Sequence, residues 1–138
     1  MLKKILYVLI GLFVLIQLVP ANRENPPVRA DLEAPQAVKA ILKRSCYDCH
    51  SNETHWPWYS YIQPVAWLVA HDVEEGREHL NFSDWGQYSA DKRSSKSEEC
   101  VEEIEEGEMP MSIYVWMHSE AKISPEDLAV LKQWSDGL

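Results

Sequence analysis

The chain is poor in basic residues: 13 Lys and Arg stand against 22 Asp and Glu, a formal net charge of −9 with histidine neutral. Lys3 and Lys4 precede an apolar leader, so the rest of the chain carries 11 basic against 22 acidic residues, or −11. That excess of acid excludes nucleic acid and anionic membrane surfaces as favourable partners and suits a partner with a basic face. Acidity alone also keeps a protein in solution, which is the simpler explanation. Cysteine is scarce, three in all, and only Cys46 and Cys49 stand close in sequence. Without a second pair, a four-ligand zinc site would have to recruit distant histidines. No segment alternates apolar and polar residues over more than a few positions, which excludes an extended sheet. The βαβ frame of a thioredoxin-like CxxC is therefore missing too. There is no internal repeat.

What is present is Cys46-Tyr47-Asp48-Cys49-His50, a C-x-x-C-H pentapeptide. Two thiols three positions apart can add to the two vinyl groups along one porphyrin edge. A histidine directly after the second thiol can then reach the iron from the proximal side. The competing readings are a chance match, a CxxC redox pair or half of a zinc site. The favoured one is a single covalent haem c on Cys46 and Cys49, with His50 as iron ligand.

The leader supports that reading. Lys3 and Lys4 precede an apolar run from Ile5 to Pro20, broken by Gly11 and Gln17, the layout of an export signal. The run is short for a span of about 20 residues. A retained anchor is preferred to a cleaved signal because Pro20 sits awkwardly beside the small residue Ala21. In either case the remainder is expected on the exported, periplasmic side of the cytoplasmic membrane, where bacteria attach haem to such motifs. Residues 22–30, with Pro26-Pro27, read as an extended tether. Residues 31–138 read as one small domain behind the 1–21 signal or anchor segment.

Four helical patterns follow. Glu33–Arg44 places Ala34, Val38, Ile41 and Leu42 on one stripe and runs into Cys46. Pro64–Leu80 places Val65, Leu68, Val69, Asp72, Val73 and Gly76 on one side, with His71 and His79 as weak candidate ligands. Asp91–Glu106 is strongly charged, with Cys100, Val101 and Ile104 as its apolar face, and ends at Gly107. Cys100 reads as a small buried hydrophobe rather than a reactive thiol. Ser124-Pro125-Glu126-Asp127 opens the last helix, with an N-cap Ser and Pro at the first position. It is expected to pack on Glu33–Arg44. The fold class is all-α.

Two further stretches bear on the cofactor. Trp56 and Trp58, in the aromatic segment after the motif, are candidates for contact with the macrocycle, with ordinary core as the alternative. Glu108-Met109-Pro110-Met111 lies beyond a helix stop, and a thioether suits haem iron opposite a histidine. Met109 is the preferred sixth ligand; Met111, Met117 and His118 compete.

The order helix, C-x-x-C-H, helical middle, G-x-M-P loop and C-terminal helix resembles a class I cytochrome c. The stretches C-Y-D-C-H-S-N-E-T-H-W-P-W-Y-S, D-V-E-E-G-R-E-H-L-N-F-S-D-W and G-E-M-P-M-S-I-Y resemble the small bacterial haem-binding domain family. Met111-Ser112 and the Trp-rich insert depart from a minimal cytochrome c. The resemblance implies a single-haem domain behind an N-terminal signal or anchor. The expected function is one-electron transfer to and from redox partner proteins. The alternative is a haem-based sensor or ligand-binding protein with an open or labile distal site. An enzyme such as a peroxidase is least favoured, since no distal acid–base set is evident beyond His118.

Overall fold

The computed structural model describes residues 1–138, which form seven α-helices, three short 3₁₀ turns and no strand. The apolar leader forms α1, Leu2–Ile16. At 1.5 Å per residue its 15 residues reach roughly 22 Å, short of about 30 Å of bilayer hydrocarbon. No helix of the chain is long and apolar enough to cross a membrane, so the expected spanning anchor is not supported. The helix buries none of its residues. It is held at its foot, where the Gln17 side chain donates to the Gln63 carbonyl (3.2 Å) and accepts from the Gln63 amide (2.9 Å).

Residues 22–30 form neither helix nor strand, bend at residues 29 and 30, and are strapped down rather than free. Asn25 Nδ2 donates to the Thr54 carbonyl, Asn52 Nδ2 to the Pro27 carbonyl, and the Arg29 and Ala30 amides to the Ser83 carbonyl. A backbone with few internal partners must find them elsewhere, and here the domain surface supplies them.

The core forms where α2 (Gln36–Ser45) and α7 (Pro125–Ser135) meet the 3₁₀ turn Phe82–Gln87. Val38, Ile41 and Leu42 bury the expected stripe of α2. Leu32, Leu42, Phe82 and Leu131 are fully buried, each contributing about 1.5–3 kcal/mol by leaving water. An aromatic chain runs through this core: Tyr47 stacks on Phe82 (5.1 Å), Phe82 meets Trp85 (5.9 Å), and Trp85 meets Trp134 (5.6 Å). The α7 start carries the full capping box, with Ser124 accepting from the Asp127 amide and Asp127 accepting from the Ser124 amide. The helix packs on α2 as expected, and also on α5 (Ala90–Glu106).

α4 (Val65–His79) keeps its expected face at Val73 and Gly76 and departs from it in its first half. Ala66, Val73 and Gly76 are buried, while Val65 and Leu68 are exposed. Apolar residues occupy both sides of its first half, so a single period could not select the inner one. A short helix not anticipated, α6 (Ser112–Met117), follows the methionine loop.

Candidate functional site

α2 ends at Cys46 (φ −129°), and the single turn α3, Tyr47–His50, begins there. The His50 amide donates to the Cys46 carbonyl (2.9 Å), so the pentapeptide is one helical turn. Cys46 and Cys49 thereby share a face, and with His50 they line a cavity of about 370 Å³. All three cysteines are free thiols. Burial pushes Cys46 well above an ordinary thiol and Cys49 up to about 12, so both keep their protons.

His50 is held by two backbone carbonyls. Its Nδ1 lies 2.8 Å from the Gly76 oxygen and 3.1 Å from the Leu80 oxygen, both near the C-terminal end of α4. Carbonyls only accept, so Nδ1 carries the proton and donates, which leaves Nε2 with a lone pair. Burial pushes the His50 pKa below its ordinary value, favouring this neutral, ligating form. Gly76 allows the approach: a Cβ there would lie 2.8 Å from the Cys49 carbonyl oxygen. Around this wall, Arg77 donates to the Ser51 carbonyl and Thr54 Oγ1, and Thr54 Oγ1 donates to the Asp48 carbonyl. Ser83 Oγ receives the Asn52 amide.

The opposite wall comes from α5 and the loop beyond it. Gly107 takes the left-handed conformation (φ 79°) and ends α5, as expected from its position. Met109 and Met111 then line the cavity, with Met109 37% exposed. Tyr114 lines it too, and its hydroxyl donates to Asp48 Oδ2 (2.7 Å), tying α6 to the middle of the pentapeptide. Cys100 and Ile104 complete the α5 side. Asp72, Glu75, Glu99 and Glu103 make the lining acidic, against Lys96 and His79; Lys96 is paired with Glu99.

The structure thus brings Cys46, Cys49, His50 and Met109 to one cavity and leaves Trp56 and Trp58 out of its lining. Trp58 is 69% exposed; its 3₁₀ turn, Trp58–Tyr61, stands against α4. His118 is also outside the lining: Nε2 is hydrogen-bonded to the Tyr59 hydroxyl (2.8 Å) and its ring stacks on Tyr114. His71 is exposed beside Glu75. His79 reaches the cavity from α4, the helix that also carries a carbonyl partner of His50. Tyr114, Leu80 and Phe82 were not anticipated in the site; they lie 64, 30 and 32 positions after His50 in sequence, and only folding joins them to it.

No cluster of three or more His, Cys, Asp or Glu side chains is arranged to hold a bare metal ion. The donors fit an iron porphyrin instead: His50 on one wall and Met109 or Met111 on the other would hold it, and it would supply a one-electron ferric/ferrous couple. Two protonated thiols beside the imidazole suit attachment at the ring edge. A family model described as a haem-binding domain matches residues 11–136. No curated protein and no solved structure matches the chain. The match runs from within α1 to the last turns of the chain and takes in every wall of the cavity, so the chain belongs to the haem-binding domain family.

Proposed function

We propose that the chain holds one haem covalently through Cys46 and Cys49, with His50 and Met109 as axial ligands, and passes single electrons on the exported side of the bacterial membrane. The observation that carries this reading is the state of His50. Two backbone carbonyls fix its tautomer and leave Nε2 for iron, while both thiols of the same helical turn line the same cavity. When bound, haem supplies a one-electron ferric/ferrous couple. The chain's residues do the rest. His50 stays neutral and oriented, the methionine loop brings a soft sulfur to the other wall, and the Tyr114–Asp48 bond holds that loop's continuation against the attachment turn. The acidic groups around the cavity favour redox partners with a basic docking face.

One observation favours a second reading, a ligand-binding or sensing protein: Met109 is more than a third exposed, a position from which a weak ligand can leave. The optical spectrum of the purified holoprotein separates the two. A low-spin ferric spectrum with the weak long-wavelength band of methionine-ligated iron, and no CO binding to the reduced form, is expected of the carrier. High-spin bands with ready CO binding would replace the carrier with the sensor.

A further inference from the structure

Residues 54–71 contain none of the chain's 13 basic or 22 acidic residues, in a protein that is 25% charged. Several of their large apolar side chains are nonetheless on the surface. Trp58 is 69% exposed, Tyr61 58% and Leu68 57%, with Ile62, Val65 and Trp67 also exposed. Such a patch is unusual on a soluble monomer and marks a surface that is covered in use.

Its position says what covers it. The foot of α1 is fastened at the centre of this stretch: Gln17 makes both side-chain bonds to the Gln63 backbone, and the buried Gln63 donates from Nε2 to the Val19 carbonyl (2.8 Å). Arg23 closes the edge, its guanidinium 4.3 Å over the Tyr61 ring and bonded to the Ser60 carbonyl. An apolar helix with no buried residue thus rises out of a charge-free, aromatic-rich surface. Trp and Tyr are the residues that settle at the headgroup level of a bilayer, one end apolar and the other wet. A redox partner fits less well, because the patch lacks the charge a basic face would seek and none of its exposed residues lines the cavity.

We propose that the Trp58–Leu68 surface docks into the headgroup–acyl boundary of a zwitterionic phospholipid bilayer, with α1 sunk into the same leaflet. The proposal rests on the reading that the chain works at a membrane. It also makes sense of a helix too short to span. The chain lies on the membrane, held by burial of one continuous apolar surface. The haem cavity then sits towards the other end of α4, about 16 Å along the helix from Val65 to Gly76, and stays open to partners.

The test uses the full-length holoprotein and phosphatidylcholine vesicles. Partition measured by flotation should be strong and insensitive to salt. The triple variant Trp58→Ser, Tyr61→Ser, Leu68→Ser should partition about tenfold less or worse, while Leu138→Ser, an exposed apolar change elsewhere, should not. Haem stain and helical circular dichroism of the triple variant should match the wild type, which separates lost docking from lost folding. Hydrogen exchange of the wild type on vesicles should show protection within 54–71 as an independent readout. Unchanged partition of the folded triple variant, or partition abolished by salt, overturns the proposal. So does a patch that proves to hold two copies together, seen as a dimer that the triple variant dissolves. Loss of haem stain in the wild type would instead strike the haem-attachment reading and leave the docking result to stand or fall by flotation.

Discussion

The two walls of the cavity are built differently. The wall of α3 and α4 is tied at several points: His50 to two carbonyls, Thr54 to Asp48, Arg77 to Ser51 and Thr54, with Gly76 allowing backbone to meet backbone. The wall of the methionine loop and α6 buries none of α6's residues. It is joined to the opposite side by the Tyr114–Asp48 bond and, through His118, to Tyr59. One side holds His50 by two backbone carbonyls and the other leaves Met109 partly exposed. A site made this way resists opening on one side and yields on the other, because opening free energies follow local packing and bonding.

The sharpest way to break that contrast is to disturb the tight wall. Gly76→Val would drive a Cβ to 2.8 Å from the Cys49 carbonyl, where backbone rather than a flexible side chain must yield. Expected is a loss of about 1–3 kcal/mol in urea unfolding, together with reduced haem incorporation; unchanged values would mean the wall is pliable after all. On the loose wall, Met109→Ala should leave stability within about 1 kcal/mol of wild type, as a partly exposed side chain allows. It should, however, remove the methionine–iron band and admit CO or imidazole. If the band persists, Met111 takes the assignment.

Tyr114→Phe tests the link between the walls. It removes one hydrogen bond to a carboxylate, a net effect of about 1.5–3 kcal/mol, and should raise imidazole affinity of the ferric protein several-fold while the resting spectrum stays unchanged. Asp48 would lose the same donor. A variant with wild-type imidazole affinity would show that the link does not restrain the loop. The smallest effect belongs outside both walls. Ser124→Ala removes the α7 cap at about 1 kcal/mol and should leave the spectrum alone. The Ser124 amide, chiefly, with Arg44, holds the Asp127 carboxyl below its usual range. A depressed carboxyl adds stability above its unfolded pKa, and that increment is lost as pH falls through the folded value. The wild-type advantage over Asp127→Asn in thermal melts should therefore be present near neutral pH and shrink as acid protonates Asp127.

What could be read from the sequence was local. The pentapeptide, the stop at Gly107 and the capping box at Ser124 each lie within a few residues, so their geometry follows from spacing. In α4 the inner positions Val73 and Gly76 were legible, but the first half was not: Val65 and Leu68 are as apolar as the buried Ala66, so the pattern could not select the inner side there. Trp56 and Trp58 drew attention by their density beside the motif. The buried aromatics are instead Tyr47, Phe82, Trp85 and Trp134, drawn from three separate segments. The Tyr114–Asp48 bond spans 66 positions and leaves no local trace. Cys100, expected as a small buried hydrophobe, is partly buried against the core and at the same time part of the cavity lining.

The central claim is attachment of haem at Cys46 and Cys49, and the intact mass of the denatured protein, made in a host that matures c-type cytochromes and extracted with acid acetone, tests it most directly. The expected result is the polypeptide plus one haem for the wild type, falling to the bare polypeptide in Cys46→Ala/Cys49→Ala. A wild-type mass equal to the bare polypeptide, with haem in the extract, would contradict it.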